Sequence, residues 1–207
     1  LIRTINNKIY IIENYISLSS ANIIKNIFNK QVSDTPNFQI KGGPSLHPET
    51  AYKYKCGNPI VEYNNNFEHD IATDLLTMIC TSMTDTLSNF LNKKMDLKTM
   101  FYGVMLKGSK NPLHADNYLE INNIDSLREN SKDDWSGLLY LNDEYEGGTL
   151  EFPEENFYIK PKPGTFIFFQ GSHNLPHGVS EVTDGERNVI VSFFWPSEYR
   201  GFSTILG

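Results

Sequence analysis

The sequence predicts an α+β fold that is mainly β: an antiparallel β sandwich or barrel with helices on its N-terminal side. From Met100 onward, short apolar or alternating runs recur, each bounded by Gly, Pro, Asn or Asp. Before that point, two longer segments space their apolar residues at helical intervals. The third observation is size: 207 residues, 39% of them apolar and 13% aromatic, fill one core and are short for two. The expectation is a single domain over 1–207, with a strand and helix region over about 1–99 and a β core over about 100–207.

In chain order, "KIYIIENYISLSSANIIKNIFNK" alternates weakly through Ile9, Ile11 and Asn14 and then changes period. A strand therefore precedes a helix, with Ser19 or Ser20 as its cap and Ile23, Ile24, Ile27 and Phe28 on one face. "VSDTPNFQIKGGPSLHPET" is rich in Pro, Gly and small polar residues, which suits a loop or two short irregular strands. A long helix follows, striped by Ile71, Leu75, Met78, Ile79, Leu87, Phe90 and Leu91. The β runs are "TMFYGVMLKG", "WSGLLYLND", "GTLEFP", "NFYIKPKPGTFIFFQG" and "RNVIVSFFW". Gly147 and Gly148 suit a hairpin turn, and Trp135 and Trp195 read as core. Between two of these runs lies the polar, acidic stretch Asn117 to Asp134, long enough to act as a lid.

Composition removes several function classes. A net charge of −7 without a dense Lys/Arg tract argues against a nucleic-acid partner, because phosphate binding needs clustered positive charge. Cys56 and Cys80 are far apart and read as ordinary thiols rather than a disulfide framework or a zinc cluster. No apolar run approaches the ~18 residues needed to span a bilayer, and "LIRTINNKIY" lacks a signal-peptide core. The expectation is a soluble chain with no membrane partner, the cytoplasm being favoured. The sequence is silent on oligomeric state.

The chemistry-bearing residues begin with "NPLHADNYLE". His114 and Asp116 are one residue apart, which in an extended backbone turns both side chains to the same face. One more histidine would complete a two-His-one-carboxylate triad, which holds iron(II) and leaves other coordination positions open. Alone, the spacing is weak evidence and reads more simply as a turn residue and a surface histidine. His173 and His177 are the candidates for the third ligand. Arg187 stands ten residues after His177, across the turn-like "TDGE". If the segments around His177 and Arg187 pair as a hairpin, its planar fork of donors returns to the same cavity and suits a carboxylate. It reads otherwise as a solvated residue beside a turn.

The order His-x-Asp, "GGTLEFP", "PKPGTFIFF", "PHGVSEVTDGER" resembles the iron(II)- and 2-oxoglutarate-dependent dioxygenases of the prolyl hydroxylase type, from about Tyr10 to Trp195. "LHADN", "WSGLLYLNDEYEGGTLEF" and "LPHGVSEVTDGER" look most like prolyl 3-hydroxylase catalytic domains, with prolyl 4-hydroxylase and lysyl hydroxylase domains also similar. The resemblance implies a double-stranded β-helix core, the jelly roll of cupin-like proteins. It implies His114, Asp116 and His177 as iron ligands, Arg187 as partner of the distal carboxylate of 2-oxoglutarate, and His173 outside the ligand set. Related enzymes also hold the co-substrate through a tyrosine, but the matching position, nine residues before His114, is Met105. Tyr102 and Tyr140 are the possible substitutes. Val179, Val189 and Val191 would wall the co-substrate pocket, and Asn117 and Ser192 would add supporting hydrogen bonds.

The implied cofactors are iron(II), 2-oxoglutarate and O2, with ascorbate as a further one. The implied reaction is hydroxylation of an unactivated C–H, foremost on a prolyl residue of a peptide or protein, with release of succinate and carbon dioxide. Competing readings are a lysyl residue, free amino acid or small metabolite as acceptor, and a non-catalytic binding module on the same scaffold. A zinc hydrolase is weaker, because Arg187 has no evident role there.

Overall fold

The computed structural model describes residues 2–34, 39–41, 51–55, 71–116, 133–171 and 174–198. Strands β1 (Ile2–Ile5) and β2 (Ile9–Ile12) form an antiparallel pair. Their turn places Asn6 and Asn7 at φ 50° and 54°, a left-handed conformation that asparagine tolerates. Helix α1 (Leu18–Asp34) is capped by Ser17, whose Oγ accepts the Ser20 backbone N–H at 3.0 Å, and not by Ser19 or Ser20. The helix starts earlier than expected, so the serine three residues before Ser20 takes the capping geometry. Ala21, Ile24 and Phe28 are buried, whereas Ile23, on the neighbouring face, is 59% exposed.

Strands β3 (Gln39–Lys41) and β4 (Ala51–Lys55) pair; only β3 lies within the Pro- and Gly-rich segment, and β4 follows it. Helix α2 (Ile71–Leu91) buries Ile79, Cys80, Met83 and Leu87 but exposes Met78. Its buried stripe is thus turned slightly from the one that counted Met78, because positions 79, 83 and 87 stack four apart against the sheet.

The β core begins at β5 (Met95–Leu106) and continues through β6 (Asn111–His114), β7 (Trp135–Tyr140), β8 (Tyr145–Gly147) and β9 (Leu150–Phe152). It is completed by β10 (Phe157–Ile159), β11 (Phe166–Gln170), β12 (His177–Val179) and β13 (Val182–Pro196). Among the described residues, the large sheet runs β1-β2-β11-β7-β13-β5-β4-β3 with β8 against β13, and the small sheet runs β10-β9-β12-β6. Together they make the jelly-roll, double-stranded β-helix core, mainly β, with both helices packed on the outer face of the large sheet.

Two sequence expectations fail for local reasons. "NFYIKPKPGTFIFFQG" is two strands in different sheets, since Pro161, Pro163 and Gly164 at φ 82° interrupt it. Gly147 and Gly148 make no hairpin: β8 pairs with β13, whereas β9 pairs with β10 and β12, so the chain crosses between sheets there. A Cβ on Gly147 would lie 2.0 Å from the Glu181 carbonyl oxygen, which is why glycine is needed at that crossing.

Strand alternation divides the interior. Ile190 and Phe194 of β13 face the helices, in one cluster with Phe28, Met83, Leu97 and Tyr102. Val189 belongs to a second cluster between the sheets, with Met105, Tyr140, Phe169, Phe152 and Val179.

Candidate active site

The small sheet brings the two histidines together. β6 and β12 are antiparallel with His114 directly opposite His177, and the ring centroids lie 4.6 Å apart. Asp116 follows β6 by two residues. Its Oδ1 is 3.3 Å from His114 Nε2 and its Oδ2 is 3.3 Å from His177 Nε2. One ligand atom from each residue lies within 4.8 Å of the others, close enough to share one ion.

Each imidazole is oriented in the same way. His114 Nδ1 is 2.8 Å from the Pro112 carbonyl and His177 Nδ1 is 3.2 Å from the Leu175 carbonyl, in each case the residue two positions earlier. A proton on Nδ1 donates to that carbonyl and leaves the Nε2 lone pair facing Asp116, as a metal ligand requires. The His177 ring is fixed by Phe169 and Phe152, at centroid distances of 4.6 and 5.6 Å. Burial alone would push the Asp116 carboxyl up; in the other tautomer, with the proton on Nε2, His114 and His177 donate to it, and together with Ser136 they hold it well below the usual carboxylate range. The Ser136 Oγ donates to Asp116 Oδ2 at 2.5 Å.

Arg187 reaches the interior by a route other than the expected hairpin. β12 pairs with β6 and β9, whereas β13 pairs with β5, β7 and β8, so His177 and Arg187 stand on facing sheets. "TDGE" lies within β13, where Gly185 at φ 73° accompanies a register irregularity rather than a reversal. Arg187 is opposite Met105 in the sheet register and 4% exposed. Its Nη2 donates to the Tyr140 hydroxyl at 2.7 Å and its Nη1 to Met105 Sδ at 3.4 Å. The guanidinium carbon is 4.9 Å from the Tyr140 ring centroid. The Tyr145 hydroxyl is buried in the same cluster, where burial pushes the phenol up against the charge of Arg187 and a hydrogen bond with it. No carboxylate among the described residues pairs with this arginine.

The structure sorts the remaining candidates. Tyr140, fully buried, meets Arg187, and Val179, Val189 and the half-buried Val191 pack in the surrounding cluster. Tyr102 does not join them. It points to the opposite face of β5, where its hydroxyl meets Asn188 Oδ1 and, at 2.5 Å, Asn29 Oδ1. Ser192 shares that face and donates to the Gly137 carbonyl at 3.0 Å, away from the triad. Alternation explains both: Tyr102 is three residues from Met105, and Ser192 five from Arg187, so each faces the helices. His173, Asn117 and the 117–132 part of the expected lid lie outside the described residues. Two residues of interest went unnoticed in the sequence, Ser136 and Tyr145. Ser136 alternates with buried apolar positions of β7, and Tyr145 sits two residues before the Gly pair; neither carries a motif of its own.

A cavity of about 190 Å³ opens on Asp116. Its walls include Trp135, Phe193 and Phe194, with the charged side chains of Lys98 and Asp134. Trp135 therefore lines the cavity as well as the core. Trp195 is half-buried, with the Lys98 ammonium 5.5 Å from its ring centroid.

Residues 99–195 match the family described as the 2OG-Fe(II) oxygenase superfamily. Over 99 residues the chain is 37% identical to prolyl 3-hydroxylase 3 of Homo sapiens, a stretch that is 43% of this chain and 14% of the human protein. The chain thus spans a small part of the curated relatives it matches. A Trichoplax adhaerens prolyl hydroxylase, solved with a hypoxia inducible factor peptide fragment, superposes with a TM-score of 0.66 at 14% identity, covering 96% of this chain and 88% of that one. HygX of Streptomyces hygroscopicus, solved with nickel, 2-oxoglutarate and hygromycin B, gives 0.62 at 13% identity over 92% and 83%. At these identities the structural likeness establishes a shared fold.

Proposed function

We propose that the chain, whose residues 99–195 match the 2OG-Fe(II) oxygenase superfamily, is an iron(II)- and 2-oxoglutarate-dependent dioxygenase hydroxylating a prolyl residue in a peptide or protein. The observation that carries this reading is a buried guanidinium without a carboxylate, in the apolar interior that also packs His177. A cation taken from water needs a matching anion, and the distal carboxylate of 2-oxoglutarate supplies one.

The donor set fits the metal: two imidazoles and one carboxylate are the ligands of non-haem iron(II) sites with open positions. His114, Asp116 and His177 would hold the ion. When bound, iron(II), 2-oxoglutarate and O2 supply the chemistry that hydroxylates a C–H bond and yields succinate and carbon dioxide. The protein's own part is positional. Arg187 and Tyr140 fix the co-substrate's far end, Val179, Val189 and Val191 exclude water around its carbon chain, and Ser136 orients Asp116.

The cavity beside Asp116 supports a single residue of a longer chain as acceptor. Its volume of about 190 Å³ is below the ~300–1,000 Å³ of pockets that enclose whole small ligands. Aromatic walls suit an apolar ring, and the similarity to prolyl 3-hydroxylases favours proline. HygX carries hygromycin B on the same fold, so a small-molecule acceptor is the second reading. The test is succinate formation with proline-containing peptides, iron(II), 2-oxoglutarate and ascorbate. Wild-type protein should convert a peptide, with a 16 Da gain on proline for each added oxygen atom, and His177→Ala should be inactive. Undiminished turnover by His177→Ala would reject the site; conversion of small molecules alone would favour the second reading.

A further inference from the structure

We propose that Asn142 is a positioning residue for the co-substrate: its buried carboxamide clamps the backbone on both sides of Arg187 and so sets where the guanidinium stands; this rests on the 2-oxoglutarate reading above. Arg187 sits at a gap along one edge of β13. On that edge β8 is paired as far as Gly185 and β7 resumes at Val189, so residues 186–188 have no strand in register beside them. The Leu141 N–H still reaches the Asn188 carbonyl at 3.0 Å, and beyond it the Asn142 side chain takes over. Its Nδ2 donates to the Glu186 carbonyl and its Oδ1 accepts the Asn188 N–H, each at 2.8 Å. One amide thus serves one acceptor and one donor, as the backbone of a neighbouring strand would. At 2% exposure Asn142 leaves water no access to compete, and buried backbone groups need such partners.

The clamp bears on the arginine itself. Glu186 and Asn188 turn their side chains to the helix face, where Glu186 Oε1 accepts from Asn29 Nδ2 and Asn188 Nδ2, both at 3.1 Å. Strand alternation then sends Arg187 the other way, between the sheets. The β5 ladder holds its backbone opposite Met105 from one side, and the Asn142 amide holds its two neighbours from the other. Two residues before Asn142, the Tyr140 hydroxyl accepts from Arg187 Nη2 at 2.7 Å. One short stretch, 140–142, therefore fixes both the tip of this side chain and the backbone it grows from. Groups that bind a ligand must be held to within about 0.5 Å by what stands behind them. A strand edge left unpartnered at 186 and 188 would not supply that hold.

The test uses zinc(II) as a redox-inert metal and compares 2-oxoglutarate with pyruvate, which keeps the 2-oxo acid but lacks the distal carboxylate. Asn142→Ala should weaken 2-oxoglutarate about tenfold, the order lost when a group supporting a ligand-binding residue is removed. Pyruvate and zinc(II) affinities should stay unchanged, because neither ligand uses Arg187. Unchanged 2-oxoglutarate affinity, or an equal loss for pyruvate or for zinc(II), would make Asn142 merely structural and overturn the proposal. Should the alanine variant fail to fold, Asn142→Ser decides by the same comparison, since its hydroxyl can still serve one of the two backbone groups: the ratio of 2-oxoglutarate to pyruvate affinity should fall, and an unchanged ratio overturns the proposal. Failure of both variants to fold would overturn it too. Wild-type protein that binds no 2-oxoglutarate would instead reject the parent reading along with this one.

Discussion

Arg187 is held in a place where an arginine weakens the ligand-free protein. Its guanidinium is 4% exposed, with a phenol oxygen and a thioether sulfur as partners. Replacing a buried ion by a well-packed apolar side chain is often neutral or stabilising by about 1–4 kcal/mol. Arg187→Met should therefore raise the ligand-free unfolding free energy by about 1–2 kcal/mol, while weakening 2-oxoglutarate at least about 100-fold. Urea unfolding and a binding titration check the two halves. Tyr102 gives the opposite signature. Its hydroxyl meets Asn29 and Asn188 on the helix side, so Tyr102→Phe should destabilise the fold by about 1–2 kcal/mol. Its 2-oxoglutarate affinity should not change. Which tyrosine serves the site was not legible in the sequence, because a one-residue difference in strand position reverses the face and no composition signal marks it.

At the scale of elements, the histidine pair is a consequence of register: β6 and β12 align His114 with His177, and Asp116 follows by the spacing already visible in the sequence. The helices and most strands were legible because their apolar periods are long or their boundaries carry Gly and Pro. The route of Arg187 was not. Sequence proximity suggested a hairpin with His177, yet strand partners come from positions distant in the chain, and β13 pairs with 11 residues of β5 that precede their partners by some 80–100 positions. The turn between β1 and β2 illustrates a weaker tie. Asn6 Nδ2 donates to Glu155 Oε2 at 2.7 Å, and Lys8 pairs with the other carboxylate oxygen. Hydrogen bonds from Lys8 and then Asn6 hold Glu155 below the usual range. A carboxylate depressed in the folded state adds stability above its unfolded pKa, of about 4.3, and loses it as pH falls through the folded value. Lys8 is 42% exposed, so solvent screening limits the effect. Glu155→Gln should cost under about 1 kcal/mol at pH 7, and the difference should vanish in urea titrations taken down through pH 3.

Across the whole molecule, two interiors do different work. Helices and large sheet enclose one apolar cluster that stabilises the fold, while the space between the sheets holds a buried guanidinium that a carboxylate can match. The sequence motif pointed to the triad and to Arg187 because metal and carboxylate chemistry restricts residue type sharply. Tyr145 and Ser136 were invisible to it, since their roles depend on which sheet each strand joins. The central claim is that one interior holds a metal at one end and a carboxylate at the other. It is tested most directly by parallel zinc(II) and 2-oxoglutarate titrations of wild type, His177→Ala and Arg187→Met. Wild type should bind one metal ion and one 2-oxoglutarate per chain; His177→Ala should lose the metal, and Arg187→Met should keep the metal and lose 2-oxoglutarate. Metal binding unaffected in His177→Ala, or 2-oxoglutarate binding unaffected in Arg187→Met, would contradict it.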